Sequence, residues 1–344
     1  MLKGRISMKI LNAAIIGCGS IFANHAEAIA GLKASRLYAV CDVDRKKAEE
    51  AAHRFDCRFF TDYREMLKDN DIDVVHICTP HYLHAPMAIE AMHSGKHVLT
   101  EKPMSITVED ALEMNRVSCE TGKTLGVCFQ NRYNATSQRI KEVLQTGKAG
   151  KILGAKAIVT WNRSGKYYTE SNWRGSLERE GGGVLINQAI HTLDLMQWFI
   201  GEMDGLKAHV DTRLLKGIIE VEDTADATIT FKNGSNGIFF ATNNYVADSP
   251  IELEIICEKA VIKLQDKLII TYSDGTVEQV SETVKATGGK AYWGCSHKYL
   301  IRDFHEKLQE GKPFDLTGEQ GIMAIKTLEA IYKSSETGSY IKLA

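Results

Sequence analysis

Asn187, His191 and Asp194 stand four and then three residues apart, so on a helix they place an amide, an imidazole and a carboxylate on one face. An imidazole ionises near pH ~6.5, which suits it to take a proton from a substrate close to neutral pH. The amide beside it orients by hydrogen bonds and cannot share the proton. A helix is expected from Val184, because Leu185, Ile190, Leu193, Met196 and Trp198 recur at roughly helical spacing. Gly181, Gly182 and Gly183 precede it and let the backbone pass close to a neighbour. Most other positions are apolar enough for burial, and buried polar groups need partners, so the polar face is expected to line a pocket. The competing reading is a helix in which His191 and Asp194 satisfy each other.

A second chemistry-bearing stretch lies near the start of the chain. Lys9–Ile16 reads as an apolar strand that runs into Gly17-Cys18-Gly19-Ser20-Ile21-Phe22-Ala23, and a helix follows that closes at Gly31. Strand, Gly-x-Gly turn and helix form the context of a dinucleotide-binding fingerprint. Gly17 serves the tight turn, and Gly19 lets the backbone approach a pyrophosphate at the helix N-terminus. The third glycine is replaced by Phe22. Asp42 ends the next strand, 23 residues after Gly19, where a carboxylate accepts hydrogen bonds from ribose hydroxyls and repels a 2′-phosphate. NAD is therefore expected, with NADP the less favoured cofactor. The alternatives are a turn-forming Asp42, with Asp44 as its twin, and Arg45 as a partner for a 2′-phosphate.

The elements that must position these residues follow from the alternation. Strands at 37–42, 58–60, 74–78 and 97–100 are separated by helices at 46–55, 63–68 and 86–93, which implies right-handed βαβ units and a parallel sheet. Gly17, Asp42, Thr79 and Glu101-Lys102-Pro103 all fall at strand C-termini, where ligands of such sheets sit. After the strand at 125–129 the pattern changes to strands joined by short turns, as at Asn233-Gly234-Ser235-Asn236, and an antiparallel sheet is expected. The expected fold is an N-terminal Rossmann doubly wound parallel sheet, 1–128, with a C-terminal α+β domain, 129–344, built on a large, mostly antiparallel open sheet. One face of that sheet is expected to pack on the 183–200 helix. The other carries Ile238 and Phe240 and is expected to be covered by another subunit, in a homodimer or homotetramer. Two helices, 299–309 and 318–333, end the chain.

Composition excludes several classes. A net charge of -2 over 344 residues leaves no footprint for nucleic acid or an anionic membrane. No apolar run approaches the ~18 residues of a membrane span. Lys3 and Arg5 before an apolar run resemble a leader, but the run is short, is interrupted by Asn12 and serves as the first strand. The eight cysteines form no Cys-x-x-Cys pair and no zinc spacing, so a cytoplasmic protein without a metal is expected.

Assembled, these residues resemble the glucose-fructose oxidoreductase/inositol dehydrogenase/rhizopine-catabolism (Gfo/Idh/MocA) family over nearly the whole chain from Lys9. The markers are Gly17-Cys18-Gly19 with His25, Thr79-Pro80-His81 with His84, and Gly95 to Pro103 ending in Glu101-Lys102-Pro103. Gln130-Asn131-Arg132-Tyr133-Asn134 and Gly181-Gly182-Gly183 with His191 and Asp194 complete them. The resemblance implies an NAD(P)-dependent oxidoreductase that moves a hydride between a secondary alcohol of a sugar, polyol or nucleotide-sugar and the cofactor. It implies catalysis by Lys102, His191 and Asn187, with Lys102 a positive charge at the developing alkoxide or, alternatively, a partner of Glu101. Cofactor binding falls to Gly17, Gly19, Ser20, Ile21, Asp42, Thr79, Pro80, His84, Glu101 and Lys102. Carbohydrate binding falls to Lys102, Arg132, Tyr168, Trp173, Arg174, Asn187 and His191. Trp161, Arg163 and Tyr167 share that region, which reads either as a sugar-facing surface or as a solvated loop. His297 is expected to cap its helix. Asn187 departs from the Asp of many sugar and polyol dehydrogenases of the family, and members acting on nucleotide-linked sugar acids can carry Asn. Two other functions fit the same residues: a nicotinamide-binding sensor, and a glycosidase or lyase with a retained NAD.

Overall fold

The computed structural model describes residues 9–282 and 296–343, which fall into two units. The first comprises residues up to Ser105, Glu109–Cys128 and His297–Ile322; the second comprises Ile106–Val108, Phe129–Ser296 and Met323 onwards.

Short apolar segments alternate with helices through the first part of the chain: β1 (Leu11–Ile16), α1 (Phe22–Ala30), β2 (Ser35–Cys41), α2 (Arg45–Phe55), β3 (Arg58–Phe60), α3 (Tyr63–Leu67), β4 (Val74–Ile77), α4 (His84–His93), β5 (His97–Thr100), α5 (Val108–Thr121) and β6 (Leu125–Val127). The strands pair in parallel in the order β3-β2-β1-β4-β5-β6. The order reverses between β1 and β4, the switch point at which such sheets bind ligands. Ala13–Ile16 and Val74–Ile77 are buried, as the continuous apolar runs require. Asp44 caps α2 by accepting from the backbone N–H groups of Lys46 and Lys47, and Asp62 caps α3 through Arg64.

Then follow α6 (Ala135–Gln145), β7 (Ile152–Thr160), α7 (Gly165–Thr169), α8 (Leu177–Glu180) and a π-helical turn over Leu185–Ala189 that continues into α9 (Ile190–Ile200). After these come β8 (Met203–Asp211), β9 (Thr224–Phe231), β10 (Asn236–Thr242), β11 (Glu252–Cys257), β12 (Ala260–Leu264), β13 (Leu268–Tyr272) and β14 (Val277–Val280). The chain ends with α10 (His297–Glu310), α11 (Gly318–Thr337) and β15 (Ile341–Lys342). The second sheet runs β14-β13-β12-β11-β7-β10-β9-β8-β15. Its pairs are antiparallel except β7–β10, which is parallel. On β9 and β10, Ala225, Ala227, Ile229, Phe239 and Ala241 are buried while Ile238 is 63% exposed, the alternation of a sheet covered on one face. α9 packs beside β7. Within the first unit α10 lies against α1. No helix among the described residues is long and apolar enough to cross a membrane.

The glycines before the π-turn let the backbone pass Glu222. Val184 N–H donates to the Glu222 carbonyl at 3.0 Å, and a Cβ on Gly183 would sit 1.8 Å from that oxygen. Gly183→Ala therefore forces the helix start off Glu222. We expect a loss of about 3 kcal/mol or more, the upper range for overpacking, read as a fall in denaturant midpoint.

Candidate active site

In the first unit, the loop after β1 is built partly by the protein and partly for a ligand. Gly17 has φ +98, and a Cβ there would meet the Cys78 carbonyl oxygen at 2.5 Å, so the chain's own packing demands glycine. A Cβ on Gly19 would meet nothing within 4 Å. Gly19 and Ser20 are exposed, and Ile21 opens α1 without a side-chain cap. Phe22 N–H donates to the Gly19 carbonyl at 3.2 Å and Asn24 N–H to the Ile21 carbonyl at 3.1 Å, so backbone alone closes the start of α1 and no side chain covers it. Phe22, in the third-glycine position, stacks edge-on against Phe55 at 5.8 Å.

Asp42 fastens this loop. One carboxylate oxygen accepts from Cys18 N–H and the other from Asp44 N–H, both at 2.8 Å. It is both a turn-forming residue and a half-buried carboxylate at a strand end. Asp44 is the cap of α2, and Arg45 pairs with Glu49 at 2.8 Å. The Thr79 hydroxyl is buried with no hydrogen-bond partner among the described residues. Pro80 follows it, half-buried. The ring nitrogens of His84 lie 2.6 and 2.8 Å from the Pro103 and Thr79 carbonyl oxygens, tying the two loops together, and burial pushes that imidazole down. An open glycine, an exposed turn before a helix with no side-chain cap, a strand-end carboxylate and an orphaned hydroxyl fit a pyrophosphate and ribose.

Glu101 is buried and Lys102 half-buried. Glu101 turns to histidines: His25 Nε2 is 2.9 Å from its Oε1 and His297 Nε2 is 3.4 Å from it. Burial alone pushes the carboxyl up, but His25 and His297 outweigh this and hold it well below the usual carboxylate range. His297, expected as a cap, is buried at the start of α10 with its Nδ1 3.4 Å from Asn24 Nδ2.

In the second unit, Glu222 receives the helix start. Its carboxylate accepts from Gly183 N–H and Leu185 N–H at 2.9–3.0 Å. Burial pushes it up to about 7 against those donors. Between Gly182 and Met196 every residue is buried except Asn187 and His191, which are half-buried. Asn187 Nδ2 donates to Glu180 Oε1 at 2.5 Å, and Glu180 Oε2 accepts from Gly175 N–H at 2.5 Å. His191 stands edge-on to Phe129 at 5.9 Å, with Gln130 Nε2 3.4 Å from its Nε2.

Asp194 does not join them. It is buried in a two-pronged pair with Arg132, at 2.9 and 2.6 Å, so neither the expected pocket face nor a His191–Asp194 pair describes it. Burial pushes the Asp194 carboxyl up, and Arg132 opposes this. Arg132 also lies over the Trp198 ring at 5.4 Å.

The aromatic stretch is no solvated loop. Trp161 donates to the Ser249 carbonyl at 2.9 Å, and Arg163 pairs with Asp248 at 2.8 Å. Tyr168 packs with Leu215, Ile219 and Val221, and its hydroxyl accepts from Asn243 at 2.8 Å. Arg174 lies over Tyr167 at 4.5 Å and Trp173 at 5.0 Å. Glu180 and Glu222 escaped the sequence reading, and Gln130 entered it only as a marker of the resemblance; a carboxylate just before a glycine run, as at Glu180, is the one local signal available.

Residues 11–129 match an oxidoreductase family with an NAD-binding Rossmann fold, and residues 137–263 match the GFO/IDH/MocA C-terminal domain. The chain belongs to the Gfo/Idh/MocA family. It is 28% identical to the D-glucoside 3-dehydrogenase of Escherichia coli (strain K12), over 99% of this chain and 100% of that protein. The WlbA dehydrogenase of Bordetella pertussis, solved with NADH and UDP-GlcNAcA, is 28% identical with a TM-score of 0.85, covering 98% of this chain and 99% of that one. A levoglucosan dehydrogenase, solved with NADH and levoglucosan, is 25% identical with a TM-score of 0.88, covering 97% and 99%. As a Gfo/Idh/MocA protein, the chain is an NAD-dependent oxidoreductase.

Glu180 yields a pH test. Burial, opposed by Gly175 and Asn187, pushes its carboxyl up to about 7 from the ordinary 4.5. The fold therefore holds a proton that the unfolded chain gives up, so this contribution to stability is complete below pH 4.5 and is lost as pH rises towards 7. Glu180→Gln should remove a slope of up to roughly 1.4 kcal/mol per pH unit across that window, measured by denaturant unfolding at several pH values.

Proposed function

We propose that this oxidoreductase acts on a secondary alcohol of a carbohydrate: a sugar, a polyol or a nucleotide-linked sugar. The observation that carries the reading is the helix on which Asn187 and His191 alone stay half-buried amid a fully buried stretch. NAD, when bound, supplies the hydride acceptor. His191 takes the alcohol proton as its general base. Lys102 places a positive charge at the oxygen as that proton leaves, an effect strongest where water is excluded. Asn187 orients the substrate, its own amide held by Glu180. Arg132 acts through Asp194 by anchoring the middle of α9, while Trp173 with Arg174 offers a flat, cationic surface for a sugar ring. The carboxylate of Asp42 disfavours a 2′-phosphate and so favours NAD over NADP. We assign residues 1–128 to cofactor binding and 129–344 to substrate binding and assembly, apart from His297–Ile322, which belong to the first unit.

Panels of sugars, polyols and nucleotide-sugars with NAD, followed by NADH absorbance, identify the substrate. On it, Lys102→Ala and His191→Ala should each lower turnover by about two to four orders of magnitude with NAD affinity nearly intact. Asn187→Ala should lose less. Wild-type rates in both Lys102→Ala and His191→Ala would show the chemistry to be misassigned; NAD binding with no alcohol oxidised would favour a sensor.

Assembly is proposed on the open face of the second sheet, where Ile238 and Ile256 are 63% and 43% exposed. Light scattering is expected to report a homodimer or homotetramer at micromolar concentration, and a monomer there would end the proposal.

A further inference from the structure

Behind Glu101 runs a file of buried imidazoles that the reaction proposed above does not use. His25 Nε2 lies 2.9 Å from Glu101 Oε1, and His25 Nδ1 lies 2.8 Å from His76 Nδ1. His76 Nε2 is 2.8 Å from His305 Nε2, and His305 Nδ1 is 2.5 Å from the Ser35 hydroxyl. The three rings are 0% exposed and Ser35 is 4% exposed. They come from α1, β4, α10 and the first residue of β2, all in the first unit. The path leads from the C-terminal end of β5 to the N-terminal end of β2, where Lys33 and Arg36 are exposed.

Each nitrogen–nitrogen contact in the file has room for one proton. Burial keeps the rings neutral: it pushes His25 down, His76 well down, and His305 to about 3. One proton per ring permits a single order once Glu101 is ionised. Glu101 accepts from His25 Nε2–H, so His25 Nδ1 accepts from His76 Nδ1–H. His76 Nε2 then accepts from His305 Nε2–H, and His305 Nδ1 accepts from the Ser35 hydroxyl. Every donor and acceptor along the path is thereby satisfied without a charged ring, as a buried network requires.

We propose that this file is a proton relay that exchanges a proton between solvent beside Ser35 and Glu101, the residue preceding Lys102. In the inward step four protons each cross one hydrogen bond. Ser35 gives its proton to His305 Nδ1, His305 Nε2 gives one to His76 Nε2, His76 Nδ1 gives one to His25 Nδ1, and His25 Nε2 gives one to Glu101. Ser35 recovers a proton from a buffer acid or hydronium ion at the surface. Glu101 holds the arriving proton only in transit, because His25 and His297 keep its carboxyl well below the usual carboxylate range; each ring still holds one proton on its other nitrogen, and the reverse shift restores the start. The relay rests on the proposed function, in which each hydride transferred is matched by one proton taken up or released. It gives Glu101 a route to water that does not pass through the ligand side, which a bound cofactor and substrate would cover.

The test uses the full-length protein with NAD and a confirmed substrate. His76→Leu and His305→Leu interrupt the file without touching Glu101. Each is expected to lower kcat about a hundredfold, near the lower end of what a positioned proton-transfer group contributes, with NAD affinity unchanged by titration. A path cut twice is no slower than a path cut once, so the double variant should match the singles, whereas losses at independent sites would add. The solvent deuterium isotope effect on kcat should rise in all three. Ser35→Ala should act in the same direction and Ser35→Thr should restore the rate, which keeps the test decisive if the leucine variants do not fold. Folded variants with wild-type kcat and isotope effect overturn the relay. If the wild-type protein oxidises no alcohol, the proposed function fails on its own and nitrogen NMR of the rings decides the relay. Protons on His25 Nε2, His76 Nδ1 and His305 Nε2 would support it, and any other order would overturn it. Stoichiometric zinc in the purified protein would also overturn it. Single ligand-type atoms of His25, Glu101, Cys128 and His297 all lie within 4.8 Å of one another, and a cation bound there would displace the proton of His25 Nε2.

Discussion

A carboxylate without water is the constraint on which the first unit depends. Glu101 closes β5 in a buried setting, and an unpaired charge there would be prohibitive. His25 from α1 and His297 from α10 offset that penalty, so one side chain binds a strand end to two helices distant in sequence. Removing one partner of such a buried pair is generally worth several kcal/mol, more than the pair contributes as a whole. The arrangement also fixes the residue that follows. Lys102 N–H reaches back to Glu101 Oε2 at 3.2 Å, so the backbone that carries the lysine is held by the same carboxylate.

The second unit solves a related problem with a different carboxylate. Glu222 gathers the N–H groups at the start of the π-turn, the role a side-chain cap plays on an ordinary helix. The wider winding over Leu185–Ala189 occurs where Asn187 must reach Glu180 while its neighbours remain buried. π-turns within helices recur at functional sites. Farther along, Arg132 and Asp194 lock the middle of α9, so the segment bearing His191 is held from both ends.

Much of this was legible from local pattern. The β1–turn–α1 unit, the carboxylate at Asp42 and the alternation of strands and helices follow from periodicity over a few residues. Elements with weaker patterns were not legible. α6 has Ile140, Val143 and Leu144 set among polar residues, and α5 is similarly mixed. The π-winding leaves no trace in apolar spacing, because the same residues are buried under either winding. Pairs such as Arg132–Asp194, 62 residues apart, or His76–His305, 229 apart, are set by tertiary packing that periodicity does not encode. Nothing around α10 indicated that it packs with the first unit, since an amphipathic helix reads the same against any apolar surface.

The parallel β7–β10 pair also governs the order in which the second unit can assemble. β8, β9 and β10 form one run of neighbouring hairpins, and β11 to β14 form another. Both runs are local, and apart from the longer connection between β8 and β9 they close over short loops. Neither touches the other directly, because β7 lies between them, paired with β10 on one side and β11 on the other. The strand that unites the two runs is therefore the one that precedes them all in the chain, and its contacts carry a larger loop-closure entropy than those within either run. Such non-local pairings form late and slow folding. Until β7 docks, two meanders with open edges are exposed side by side, and this is the stage at which the chain is most vulnerable to pairing with another copy of itself.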